Sequence, residues 1–152
     1  MKKNSNLTVT NYPNAFSCPY ELGDLRILSS RLDDILDAIE EAAFRLSSYR
    51  FNRLVTAIPE SCAHLRRCID GISGAMETIL QTDGPMPDCT EIARVWKSGD
   101  ELLRQSIGEL LSNNDDAITV FTNKEICNTL EQAFSCCKST VSQLLTLEAA
   151  RV

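Results

Sequence analysis

The residues with the clearest chemical potential lie in one run, Arg31-Leu32-Asp33-Asp34-Ile35-Leu36-Asp37-Ala38-Ile39-Glu40-Glu41. In a helix, Asp33 and Asp37 stand one turn apart on the same face. Two carboxylates at that spacing repel by roughly a few tenths of a kcal/mol in an isolated helix. A cation held between them would remove that penalty, because carboxylate oxygens suit hard or first-row metals. A solvated acidic helix face has the same spacing and is the commoner use of such a run.

Other reactive types are present but not arranged for catalysis. His64 is the single histidine and sits beside the apolar Leu65, so a packed or surface role outweighs a catalytic one. The seven cysteines, Cys18, Cys62, Cys68, Cys89, Cys127, Cys136 and Cys137, include no C-x-x-C pair. A zinc site is therefore poorly supported. They read mostly as small reduced thiols on helix faces, with Cys62 and Cys68 on an apolar seam. Gly71-Ile72-Ser73-Gly74 falls mid-helix, where it cannot form a nucleophile elbow. No G-x-x-x-x-G-K loop is present, and Trp96, as a lone tryptophan, suits a core or interface better than a stacking platform.

Four helical segments must position these residues. Leu25, Leu28, Leu32, Ile35, Ile39, Ala42 and Leu46 recur every three or four residues and predict a helix from about Tyr20 to Arg50, with Pro19 in its first turn. Val55, Ile58, Cys62, Leu65, Ile69, Ile72, Met76 and Ile79 predict a second from about Asn52 to Gln81, with Pro59 implying a late start or a kink. Gly71 and Gly74 lower its helicity or permit a close neighbour. Thr82-Asp83-Gly84-Pro85-Met86-Pro87 is a stop. A third helix follows from Asp88, its N-cap, to about Leu111, with Ile92, Val95 or Trp96, Leu102 or Leu103, Ile107 and Leu110 inward. Ala117 to Phe121 has strand-like composition but is too short to trust. Asn123 is then the expected N-cap of a last helix ending near Ala150. The first two helices are expected to be the longest, leaving some of their apolar surface without a partner. The fold class is all-α, an antiparallel four-helix bundle.

Bulk properties fit one domain: 152 residues, 43% hydrophobic and 24% charged. A net charge of −6 argues against nucleic acid as a general partner. MKKNSNLTVTNYPN lacks an apolar stretch after its lysines, so it is not read as a signal peptide, and residues 1–17 are expected to form a flexible tail. No run approaches membrane-spanning length, and a cytoplasmic location is the default expectation.

Phe16-Ser17-Cys18-Pro19-Tyr20-Glu21-Leu22-Gly23-Asp24-Leu25, followed by Ser30-Arg31-Leu32-Asp33-Asp34-Ile35-Leu36-Asp37-Ala38-Ile39-Glu40, resembles the PhoU-related family of phosphate-transport regulators, or Pit accessory proteins. Asn123 to Val141 is similar to that family's final helix, and Gly99-Asp100 fits its penultimate one. The resemblance implies a PhoU-like helical domain over residues 18–152. The family's fold has two similar three-helix units, and about four of those six helices are accounted for here, as expected of a shortened member or of a reading frame that begins late. A shortened bundle of that kind would expose a groove and close it by homo-oligomerisation. The family's metal-binding acidic pairs, spaced four apart, imply Asp33, Asp37, Asp100 and Glu131 as ligands for a divalent or ferric ion. Trp96 and Ser135 stand where two further acidic residues are expected, Cys18 where threonine is, and Leu22 where arginine is.

Three functions follow as expectations. The first is a non-enzymatic cytosolic accessory of a Pit-type phosphate permease, acting at the inner membrane face without spanning it. The second is a helical bundle holding a structural or regulatory ion. The third is a vestigial oligomerisation module that has lost its ion sites.

Overall fold

The computed structural model describes residues 20–80 and 89–150, and all the secondary structure among them is helical. The elements are α1 (Leu22–Ser48), α2 (Ala57–Leu80), α3 (Cys89–Ser112) and α4 (Ala117–Ala150). The expected tail, Pro19 in the first turn, the stop at 82–87 and the Asp88 cap lie outside the described residues.

The apolar stripes become the packed faces. Leu28, Ile35, Ala38 and Ala42 of α1 are buried, with Leu25, Leu32, Ile39 and Leu46 packed beside them. On α3 the open choices resolve to Val95 and Leu103 in the core, with Trp96 and Leu102 partly covered. α2 begins at Ala57, not Asn52, which puts Pro59 in the first turn, where its missing N–H costs no helical bond.

α4 corrects the expectation most. It begins at Ala117, so the Ala117–Phe121 segment is helical and Asn123 is not an N-cap. Asp116 caps it instead: its Oδ1 accepts from the amides of Ile118 (3.1 Å) and Thr119 (3.0 Å), and its Oδ2 accepts from the Thr119 hydroxyl (2.6 Å). That cap outweighs the β-branched composition of the first turn. α4 is also the longest helix, at 34 residues against 27 for α1 and 24 each for α2 and α3.

Connections alternate up and down. α4 packs against α1, α2 and α3, whereas α1 makes no close backbone approach to α2 or α3. The bundle is therefore built around α4, whose buried residues occupy most of its circumference. Two glycines let helices close in. A Cβ on Gly71 would fall 2.7 Å from Ile92 Cγ1, and one on Gly99 would run into the ring of Phe134. Gly74 faces open space and serves no contact. Between α1 and α2 runs an apolar channel lined by Leu32, Ile39 and Leu46 on one side and Leu65, Ile69 and Met76 on the other.

Candidate functional site

The acidic run of α1 borders a polar groove of about 460 Å³ on the α1–α4 face away from the apolar channel. α1 contributes Arg31, Asp34, Asp37 and Glu41, and α4 contributes Thr129, Gln132, Ser135, Cys136 and Ser139. Helical spacing puts these α1 residues on one side, and antiparallel packing sets them against α4. Arg31 Nη1 lies 3.6 Å from Asp34 Oδ2, an exposed pair of small energetic value. Near the groove's end Arg45 is held by Glu41 (2.5 Å) and by Glu125 of α4 (2.6 Å). The groove thus carries three carboxylates from α1 against one arginine along its lining. Burial, and next the charge of Asp34, push the Cys136 thiol up, so it stays protonated and weakly nucleophilic.

The four residues expected to hold a metal fall in two places. Asp33 and Asp37 are both exposed on α1, and of the two only Asp37 lines the groove. Asp100 of α3 and Glu131 of α4 face each other on another side of α4. Arg104 spans them, its Nε 2.9 Å from Asp100 Oδ2 and 3.9 Å from Glu131 Oε1. Glu131 is raised above its ordinary value by burial first, with Arg104 opposing the shift and Asp100 adding to it. One turn away along α3, Trp96 has Lys138 Nζ 5.3 Å from its ring centroid and Lys97 Nζ 5.8 Å. Among the described residues no three Cys, His, Asp or Glu side chains gather where one ion could take them all. The carboxylates present do not gather into a four-ligand site, and the α3–α4 pair shares one guanidinium, that of Arg104.

His64 is half-buried, with Nδ1 2.9 Å from the Glu60 carbonyl of its own helix. Two groups escaped the sequence reading. Arg104 was visible in principle as the i+4 partner of Asp100. Glu41 and Asp34 were seen as part of an acidic run, but nothing local tells which members face α4.

No protein-family model matches the chain, and no solved structure does. UPF0111 protein YkaA of Bacillus subtilis (strain 168) is similar to it, 29% identical over 135 residues. That match covers 88% of this chain and 66% of the relative, so the chain spans just under two thirds of the relative's length. The likeness takes in most of the chain that forms the helices described above, and the relative's name assigns it no activity.

Proposed function

We propose that this chain is a non-enzymatic regulator that acts by docking, a PhoU-like accessory of inorganic-phosphate transport. The observation that carries the reading is the polar α1–α4 groove, with Asp34, Asp37 and Glu41 along one rigid helix. Cytoplasmic loops of membrane transporters are enriched in Lys and Arg. An acidic groove on a protein without a spanning helix among its described residues complements such loops electrostatically. The resemblance of the α1 segment to the PhoU-related family supports the same direction. The partner is then a Pit-type permease at the cytoplasmic membrane face, and association of copies along the apolar α1–α2 channel belongs to the same proposal.

The test is phosphate uptake in a deletion strain, complemented by the wild type or by Asp34→Asn/Asp37→Asn/Glu41→Gln. Altered uptake, restored by the wild type and not by the triple variant, supports docking through the groove. Unchanged uptake in the deletion strain, or full rescue by the variant, refutes it.

Arg104 between Asp100 and Glu131 favours a second reading, a helical module that kept its bundle and dispensed with a metal on the α3–α4 side. Calorimetric titration with Mn, Fe, Zn and Mg separates the two: a saturable heat abolished by Asp100→Asn would remove this second reading.

A further inference from the structure

Where α2 begins and α3 ends, a cavity of about 320 Å³ opens at one end of the bundle, outside the groove already described. Its lining includes Arg53, Thr56, Ala57, Gln105, Ser106 and Glu109. That size is within the range of small-molecule sites.

Two independent features point to a ligand there. The first is the start of α2, a helix of 24 residues. The Ile58 amide donates to the Val55 carbonyl at 3.1 Å and Pro59 has no N–H, while the amides of Thr56 and Ala57 have no acceptor in the protein. Orphan amides at a helix start, together with the positive end of its dipole, favour an anion. The second is Ser106, which lines the same cavity and is only 7% exposed. Ser112 and Thr129 turn their hydroxyls back to the carbonyls of Gly108 (2.8 Å) and Glu125 (2.9 Å), whereas Ser106, like Ser61, does not. The Ser106 hydroxyl makes no hydrogen bond within the protein, and its oxygen keeps access to the cavity although the residue is otherwise buried.

The charges around the cavity narrow the ligand. Arg53 stands at its edge, half-exposed and tied to Asp115 at 2.5 Å. Glu109 lines the opposite wall, with Gln105 Nε2 3.3 Å from its Oε1. A carboxylate in the wall repels a fully ionised anion, but it can accept a hydrogen bond from one that keeps a proton. We propose that this cavity binds inorganic hydrogen phosphate. The Thr56 and Ala57 amides, the Ser106 hydroxyl and Arg53 take its charged oxygens, and Glu109 accepts its P–OH. The proposal does not depend on the docking reading, because it rests on a different end of the molecule.

The test is calorimetric titration of the full chain at neutral pH and low ionic strength with inorganic phosphate, sulfate and O-phosphoserine, alongside amide chemical shifts. The expected result is saturable phosphate binding, with shifts at Thr56, Ala57 and Ser106, and at least about tenfold weaker binding of sulfate and O-phosphoserine. Ser106→Ala removes a hydroxyl that bonds to nothing in the protein, so it should fold normally and bind phosphate about tenfold or more weakly, the size of a lost hydrogen bond to a charged group. Glu109→Gln should admit sulfate as readily as phosphate. Absence of a saturable phosphate response up to about 10 mM overturns the proposal. So does wild-type binding of sulfate or O-phosphoserine as tight as that of phosphate, or an unchanged affinity in Ser106→Ala. A strain defect in phosphate uptake without phosphate binding would leave the docking reading standing and remove only this one.

Discussion

Asn123 joins three parts of the chain through one fully buried side chain. Its Oδ1 accepts from the Val55 amide (2.9 Å), and its Nδ2 donates to the carbonyls of Arg53 (2.8 Å) and Thr119 (2.9 Å). The link between α1 and α2 is thereby pinned to α4. Replacing Asn123 with Ala leaves the buried Val55 amide without its partner and the part-buried Arg53 carbonyl short of one, at about 1–3 kcal/mol for the buried group. Denaturant unfolding, followed by the fluorescence of Trp96, should show a loss of about 2–4 kcal/mol. A loss below about 0.5 kcal/mol would mean that water already serves these groups. This role was illegible in the sequence, because asparagine signals a cap by local preference while its real partners are 68 and 70 residues away. The thiols were more readable as bulk than as individuals. Burial raises Cys68 and Cys127 to about 11 and Cys137 to about 12, so in the native protein they hold almost no thiolate. Cys62 was expected on the core seam but is exposed at the apolar channel. Alkylation mapped by mass spectrometry should therefore find Cys62 modified in the folded protein, and Cys68, Cys127 and Cys137 only after unfolding. Labelling of Cys137 at the rate of Cys62 would contradict the burial.

At the scale of elements, helix existence was written in the period of the apolar residues, but two boundaries were not. Pro59 gave a late start for α2 as one of two outcomes, and only packing chose between them. The start of α4 was masked by Ile118, Thr119 and Val120, whose branched side chains suggest a strand until Asp116 supplies the cap. That cap makes a pH-dependent prediction. The Asp116 carboxyl is lowered below its ordinary value, chiefly by the Thr119 hydroxyl and then by the Thr119 amide. A lowered carboxyl contributes stability above its unfolded value, near 3.9, and loses it as pH falls through the folded one. Asp116→Ala should therefore be less stable than the wild type at neutral pH and converge with it in acid. A difference that persists unchanged at low pH would show that the cap's charge is irrelevant. The glycines give a contrast within one molecule. Gly99→Ala drives a Cβ into the ring of Phe134 and should cost about 1–3 kcal/mol. Gly74→Ala meets nothing and should gain about 0.5–1 kcal/mol from the better helix former. Equal effects at the two positions would mean that α3 and α4 are not in close contact at Gly99.

For the whole molecule, the long central α4 divides the surface into sides of different character: an acidic groove with α1, a seam with α3 in which two carboxylates share one arginine, and an apolar channel between α1 and α2. The sequence disclosed the acidic run but not this division, since which carboxylates share a side depends on how the helices turn about α4. The run's Asp37 reaches the groove while Asp33 stays outside its lining, and Asp100 and Glu131 meet each other instead. The α3–α4 seam has a measurable consequence for global stability. Glu131 is raised mainly by burial, with Asp100 adding to it and Arg104 opposing it, so the folded protein holds its proton more tightly than the unfolded chain does. The contribution of Glu131 to stability then falls as pH rises from the ordinary glutamate value, near 4.3, through the higher folded one, and its full cost is present above that. Glu131→Gln removes the charge and should be more stable than the wild type at neutral pH, while matching it in acid. Arg104→Gln should do the reverse, leaving two facing carboxylates without their cation and steepening the decline with pH. Urea unfolding midpoints across the acid-to-neutral range measure both. If Arg104→Gln were to follow the wild-type curve, the guanidinium would not be the ion that holds this seam, and the space between Asp100 and Glu131 would again be open to a metal.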